Sequence, residues 1–187
     1  MLAACGAEEE ETTTAEETEE TAATETEATE ENSAFPLTVK SLTPGRETED
    51  GASLVFEDVV LEEEPKRIIS FDYGFLDTLD ALGVEGVVGI AANGGKGNIP
   101  EHIKAKYVND SVADVGSLKQ IDFEKVAATN PDAIFISGRQ ASYYEELKEI
   151  TPNVVFIGSD NEDYFGGVYE AVDLAAEIFG KQEKAEE

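Results

Sequence analysis

The sequence predicts an α/β fold: a parallel sheet flanked by helices on both faces and preceded by an N-terminal β-hairpin. Three observations carry that reading. From Pro65 onward, short β-rich runs alternate with segments whose apolar residues recur at helical spacing. The run Ala133-Ile-Phe-Ile-Ser137 is nearly all apolar, as a strand covered on both faces must be. Glycine returns just after nearly every strand, where the chain turns toward a helix.

The elements follow in order. Phe35 to Leu42 and Ser53 to Val60 alternate apolar and polar residues, with Pro44-Gly45 and Glu49-Asp50-Gly51 between them, and predict a hairpin with a loose turn. Arg67 to Phe71 predicts the first strand of the sheet. Phe75, Leu79 and Leu82 then share one helical face, which Gly83 closes at C′. Val84 to Ile90 predicts the second strand, and the loop Ala91 to Asn98 holds three glycines. Pro100 opens a short helix, Val112 to Val115 a brief strand, and Asp122 caps a helix that Asn130-Pro131 ends. Beyond the strand at 133–137, Ser142-Tyr-Tyr-Glu145 reads as a capping box, with Tyr143, Leu147 and Ile150 as its apolar stripe. Val154 to Ile157 predicts the last strand. A final helix from about Asp163 places Tyr164, Val168, Ala171, Ala175 and Ile178 on one face, and the charged run Lys181 to Glu187 still reads as helix. Right-handed crossovers between such strands give a Rossmann-like sheet.

Charge divides the chain. Among 187 residues, 42 acids face 13 bases, for a formal charge of −29. So acidic a chain is a poor partner for nucleic acid, because phosphate contact needs clustered Lys and Arg. Ala7 to Glu31 holds 12 Glu, no base and otherwise only Ala and Thr, so it predicts a self-repelling, disordered tether. One Cys and one His exclude a disulfide framework and a Cys/His zinc centre. No run of about 18 apolar residues is available to span a bilayer. The expected organisation is 1–6, 7–33 as tether, 34–160 as the globular lobe and 161–187 as its last helix.

Ligands of open α/β sheets bind beyond the carboxyl ends of the strands, at the strand-end loops. Here these loops are Asp72 to Gly74, Ala92 to Asn98, Gly116 to Ile121, Gly138 to Gln140 and Gly158 to Asn161. Lys96, Lys119 and Arg139 each fall on a different one, whereas Lys104, Lys106, Lys125 and Lys148 fall on helices and Lys66 and Arg67 at the opposite edge. Three cations on one edge suggest a site for a compact anion; ordinary surface charges paired with Asp72, Asp114 and Asp160 are the alternative. Enzyme readings fare poorly. Asn93-Gly-Gly-Lys-Gly-Asn98 fails as a phosphate loop, because Ile90 and Gly97 stand where a Walker A needs Gly and Ser or Thr. His102 has no evident nucleophile to serve. Tyr73, directly after a strand, is the better aromatic candidate for ligand contact, while Tyr143 and Tyr144 read as core.

Several stretches carry a resemblance: Pro65-Lys-Arg-Ile-Ile-Ser-Phe-Asp72, Leu76-Asp-Thr-Leu-Asp-Ala-Leu-Gly-Val84, Asp114-Val-Gly-Ser-Leu-Lys119 with Asp122-Phe-Glu-Lys125, and above all Asn130-Pro-Asp-Ala-Ile-Phe-Ile-Ser-Gly-Arg-Gln140. Together they resemble the periplasmic-binding-protein-like components of iron–siderophore ABC importers, in particular Gram-positive lipoproteins that bind catecholate siderophores such as petrobactin. The resemblance covers Phe35 to about Gly180. It implies one lobe of a two-lobe protein whose lobes are joined by a long helix, so that this chain stops inside the interlobe helix and binds weakly or not at all by itself. Residue by residue, it implies that Lys96, Lys119 and Arg139 hold an anionic ferric siderophore, with Tyr73 and Gln140 as lesser contacts. It also implies no catalysis, no cofactor beyond the iron-bearing ligand, a monomer, and an ABC permease as partner. Cobalamin or haem binding on the same fold, and a nucleotide-dependent α/β enzyme, are the competing readings.

Met1-Leu-Ala-Ala-Cys5-Gly6 resembles a bacterial lipoprotein box, in which the Cys carries lipid. No apolar signal stretch precedes it here, so either the start is truncated upstream or the box is coincidental. The acidic tether behind it favours an anchor at Cys5 on the extracellular face of the cytoplasmic membrane, because an anchored domain needs a spacer.

Overall fold

A computed structural model describes residues 34–47, 51, 53–158 and 164–187. The Cys5 box, the acidic tether and part of the last strand-end loop, including Asp160, lie outside the described residues. What is described belongs to one compact unit, Asn32–Glu187.

The N-terminal arm comprises β1 (Leu37–Val39), β2 (Gly45–Glu47), β3 (Ser53–Val55) and β4 (Val59–Leu61). It is a hairpin in two pieces: β1 pairs antiparallel with β4, and β2 with β3. Between the pieces the chain leaves its partner for the sheet edge. The Leu42 amide donates to the Phe156 carbonyl at 2.9 Å, and the Thr43 hydroxyl to the Gly158 carbonyl at 2.7 Å. A break is therefore built into what the sequence predicts as one continuous hairpin.

The central sheet holds β5 (Ile68–Ser70), β6 (Val87–Ile90), β7 (Ala113–Asp114), β10 (Ala133–Ile136) and β11 (Val154–Phe156), in the order β11-β10-β5-β6-β7, and every pair is parallel. The order reverses between β5 and β10. Connections run through α1 (Tyr73–Ala81), α2 (Glu101–Tyr107), α3 (Phe123–Ala128) and α4 (Tyr144–Lys148), and α5 (Tyr164–Phe179) follows β11. Strand side chains alternate between two cores, as a pleated sheet covered twice requires. Ile68, Ala133, Phe135 and Val155 face one way, with α1, α5 and the outer piece of the arm. Ile69, Ile134, Ile136, Val154 and Phe156 face the other, with Val126 of α3 and Tyr144 and Leu147 of α4. A third cluster joins Leu76, Ile90, Ile103 and Tyr107 between α1 and α2.

Three local expectations need correction. The stretch Gly116 to Ile121 is not a plain loop: β8 (Gly116–Ser117) and β9 (Gln120–Ile121) form a miniature hairpin. Ser142 caps nothing: Ala141–Tyr143 is a 3₁₀ turn, and the following helix buries Tyr144 rather than Tyr143. The charged tail does not continue α5. Gly180, at φ 61°, ends it, with the Lys181 amide donating back to the Ala176 carbonyl, and α6 (Gln182–Ala185) is a separate turn.

At the amino edge, the Asp132 carboxylate accepts the Lys66 and Arg67 amides, both at 2.9 Å, so it anchors the start of β5. The Arg67 guanidinium meanwhile donates to the Thr129 and Asn130 carbonyls at the end of α3. Asp132→Ala leaves both amides without an acceptor and is expected to cost about 2 kcal/mol. Urea denaturation followed by circular dichroism checks this; an unchanged midpoint contradicts it.

Candidate functional site

The strand order reverses beside β5, and the loops at that point are tied by few but specific contacts. Asp72 caps α1, its carboxylate accepting the Phe75 amide at 3.0 Å. Tyr73 opens that helix half-buried and donates its hydroxyl to the Ala91 carbonyl at 2.6 Å. Burial raises its pKa above the ordinary phenol value and the Asp114 charge adds to the rise, while the Arg139 charge opposes it.

Beyond β6 the chain passes through Asn93, Gly94 and Gly95, all at positive φ. A Cβ on Gly97 would collide with the Tyr73 hydroxyl. This loop is held by Asp114 at the end of β7. One carboxylate oxygen accepts the Asn93 amide at 3.0 Å and the Gly116 amide at 3.1 Å, and the other accepts the Gly94 amide. The Asn93 amide is shared with the Gly116 carbonyl at 2.8 Å. One side chain thus clasps the glycine loop carrying Lys96 to the hairpin carrying Lys119.

Within that hairpin, the Ser117 hydroxyl accepts the Lys119 and Gln120 amides. Gln140 is fully buried: its side-chain amide donates to the Leu118 carbonyl and its oxygen accepts the Ser137 amide at 3.4 Å. The expected ligand contact at Gln140 is therefore corrected, because both ends of the side chain are spent tying β10 to the hairpin.

Lys96, Lys119 and Arg139 come together. All three are exposed, and all line one depression of about 460 Å³ with Tyr73, Asn93, Ser117 and Leu118. A neighbouring cavity of about 720 Å³ shares Tyr73, Leu118 and Arg139 and extends over Asp72, Ile157, Gly158 and Val168. Among the described residues, no carboxylate lies within 4.0 Å of any of the three cations, whereas Lys104, Lys106, Lys125 and Lys148 are each paired. Asp72 and Asp114, the partners expected of ordinary surface charges, direct their oxygens to backbone amides instead. His102 is elsewhere, 2.6 Å from Asp77. Among the described residues no cluster of three or more His, Cys, Asp or Glu could hold a metal ion, and no helix is long and apolar enough to cross a membrane. The arrangement can attract and orient an anion. The sequence reading missed the clasp at Asp114; its signal was an Asp two residues before a Gly, facing a loop of three glycines.

Comparison with known proteins gives a consistent answer. Residues 68–187 match the family described as periplasmic binding protein. The petrobactin-binding protein YclQ of Bacillus subtilis is 38% identical over 125 residues, 67% of this chain and 38% of its own length. The ferric-anguibactin-binding protein FatB of Vibrio anguillarum is 30% identical over 131 residues, 68% of this chain and 39% of its own. The crystal structure of YclQ superposes with a TM-score of 0.62 at 33% identity, over 80% of this chain and 47% of that one. The chain thus spans about two fifths of the length of these curated relatives.

Two outcomes follow from the site's geometry. Asp114→Ala frees the Gly94 and Gly116 amides, leaves Asn93 only its bond to the Gly116 carbonyl, and is expected to cost about 2 kcal/mol, lowering Tm by about 4–8 °C. Hydrogen exchange at Gly94 and Gly116 should quicken, and unchanged exchange there contradicts the clasp. The Tyr73 phenolate, read by ultraviolet titration as the difference between the chain and Tyr73→Phe, should form above the pH of a free phenol. In Arg139→Ala it should form higher still, because a nearby positive charge favours the phenolate and that charge is gone. An unmoved midpoint separates Arg139 from Tyr73.

Proposed function

The chain belongs to the periplasmic binding protein family, and from that premise we propose that it binds a ferric siderophore of the catecholate type, as the substrate-binding component of an ABC importer for iron uptake. The observation that carries this reading is the set of three cations, delivered by three separate loops and without carboxylate partners among the described residues, around one depression. In so acidic a chain, three exposed cations without carboxylate partners around one depression make it the spot where an anion meets positive charge. A unit charge at 4 Å gains about 4 kcal/mol at an effective dielectric of 20, before desolvation. Lys96 and Lys119 act as point charges toward spread negative charge, and Arg139 offers a planar fork to paired oxygens.

Iron wrapped by its chelator needs no protein ligand, which fits a chain with one His and one Cys. The name of YclQ specifies petrobactin, so a polyanionic ferric catecholate is the first ligand to try. The role is capture rather than catalysis. An importer's permease is the partner, the protein works as a monomer, and Cys5 is the lipid anchor that holds it at the extracellular face of the cytoplasmic membrane. The depression leaves much of a chelate in water, where ordinary small-molecule sites cover about 70–90% of their ligand, so affinity of this chain by itself is low.

Titration with ferric petrobactin, followed by tyrosine fluorescence or calorimetry, should give saturable binding that weakens as salt is raised. Lys96→Ala and Arg139→Ala should each weaken it about tenfold, the loss of one charge-assisted contact. The absence of saturable binding, or an affinity unmoved when Lys96, Lys119 and Arg139 are all Ala, rejects the assignment.

A further inference from the structure

Arg46 belongs to none of the strand-end loops and precedes the span that the family match covers, which begins at Ile68. Yet the arm carries it to the carboxyl edge. On the inner piece of the hairpin Arg46 stands directly opposite Leu54, so the two side chains share a face. Leu54 packs against the second core, which sets that face toward the sheet, while neighbouring Val55 points away and is 64% exposed. The guanidinium ends beside Gly138, the residue before Arg139: Arg46 Nη1 lies 2.6 Å from where a Cβ on Gly138 would sit. A Cβ there would oblige the guanidinium to move away from the backbone at the end of β10.

The arm is fastened on both sides of Arg46. Leu42 and Thr43 bond to β11 and to the carbonyl just beyond it, and the Phe56 amide donates to the Pro44 carbonyl at 2.9 Å. The Phe56 ring stacks on Phe156 at 4.0 Å between centroids and meets Tyr144 edge-on at 5.1 Å. Among the described residues no carboxylate lies within 4.0 Å of Arg46. Arg46 beside Gly138 and Arg139 directly after it in the chain are both exposed, so an anion arriving at this edge can meet two guanidinium groups.

We propose that Arg46 is a ligand-contacting, specificity-determining residue: a fourth cation which, with Arg139 across Gly138, grips paired anionic oxygens of the bound ferric chelate. Two guanidinium forks suit paired oxygens better than a single point charge does. The inference rests on the proposed anion-binding reading and adds to it the N-terminal arm as a wall of the site.

The test titrates ferric petrobactin into the chain and into Arg46→Ala, Arg46→Lys and Gly138→Ala at two salt concentrations, with Tm recorded for each. Arg46→Ala should bind about tenfold more weakly with Tm unchanged and a flatter salt dependence, Arg46→Lys should recover part of the loss, and Gly138→Ala should weaken binding by displacing the guanidinium. Wild-type affinity in Arg46→Ala overturns the inference while leaving the anion reading intact. Loss of affinity in step with a lowered Tm, unrelieved by Lys, also overturns it, since that marks a packing role. A wild-type chain that takes up no chelate overturns the reading and the inference together.

Discussion

The site depends on one carboxylate. Asp114 accepts three backbone amides from two loops, and through them it sets the separation between Lys96 and Lys119. Hydrogen bonds to a charged acceptor are stronger than neutral ones, and all three amides belong to residues at positive φ, two of them in the glycine loop and the third, Gly116, at the start of β8. Because the carboxylate is committed to the backbone, it does not pair with the lysines nearby. The same economy holds at Asp72, which is spent on the cap of α1. Negative groups therefore shape the rim, and positive groups are left facing solvent.

Much of this was legible in the sequence. Strand–helix alternation, the all-apolar run at β10 and the cap at Asp122 follow from local chemistry, and the structure has them at those positions. The rule that ligands gather beyond the carboxyl ends of strands singles out Lys96, Lys119 and Arg139 from sequence, and they line one depression. What failed was what sequence spacing cannot encode. Gln140 follows Arg139 directly but turns inward, because Leu118 on another element offers a carbonyl to its amide. Ser142 had the right residue three places before a Glu, yet the chain there first winds a 3₁₀ turn. The break of the arm between β1 and β2 depends on a contact with Phe156, more than 100 residues away.

The long-range arm also explains why Arg46 was invisible. Nothing in Gly45-Arg46-Glu47 marks a binding residue, and the strand alternates as any exposed hairpin would. Its position becomes meaningful only once the Phe56–Phe156 stack presses the arm against β11 and brings the guanidinium to Gly138. The glycine after β10 leaves space for a side chain from a distant element. The sheet thus supplies the floor of the site and the strand-end loops three of its charges, with the arm's Arg46 set beside Gly138 at its edge.

The central claim is that one edge of the sheet attracts a polyanionic metal chelate. The most direct measurement is a two-dimensional amide NMR titration with the gallium(III) complex of petrobactin, a diamagnetic stand-in for the ferric one. The account predicts shifts concentrated at Tyr73, Asn93 to Gly97, Ser117 to Lys119 and Gly138 to Arg139. Shifts concentrated instead at the opposite edge, around Lys66, Gly86 and Lys181, or no shifts at all, would contradict it.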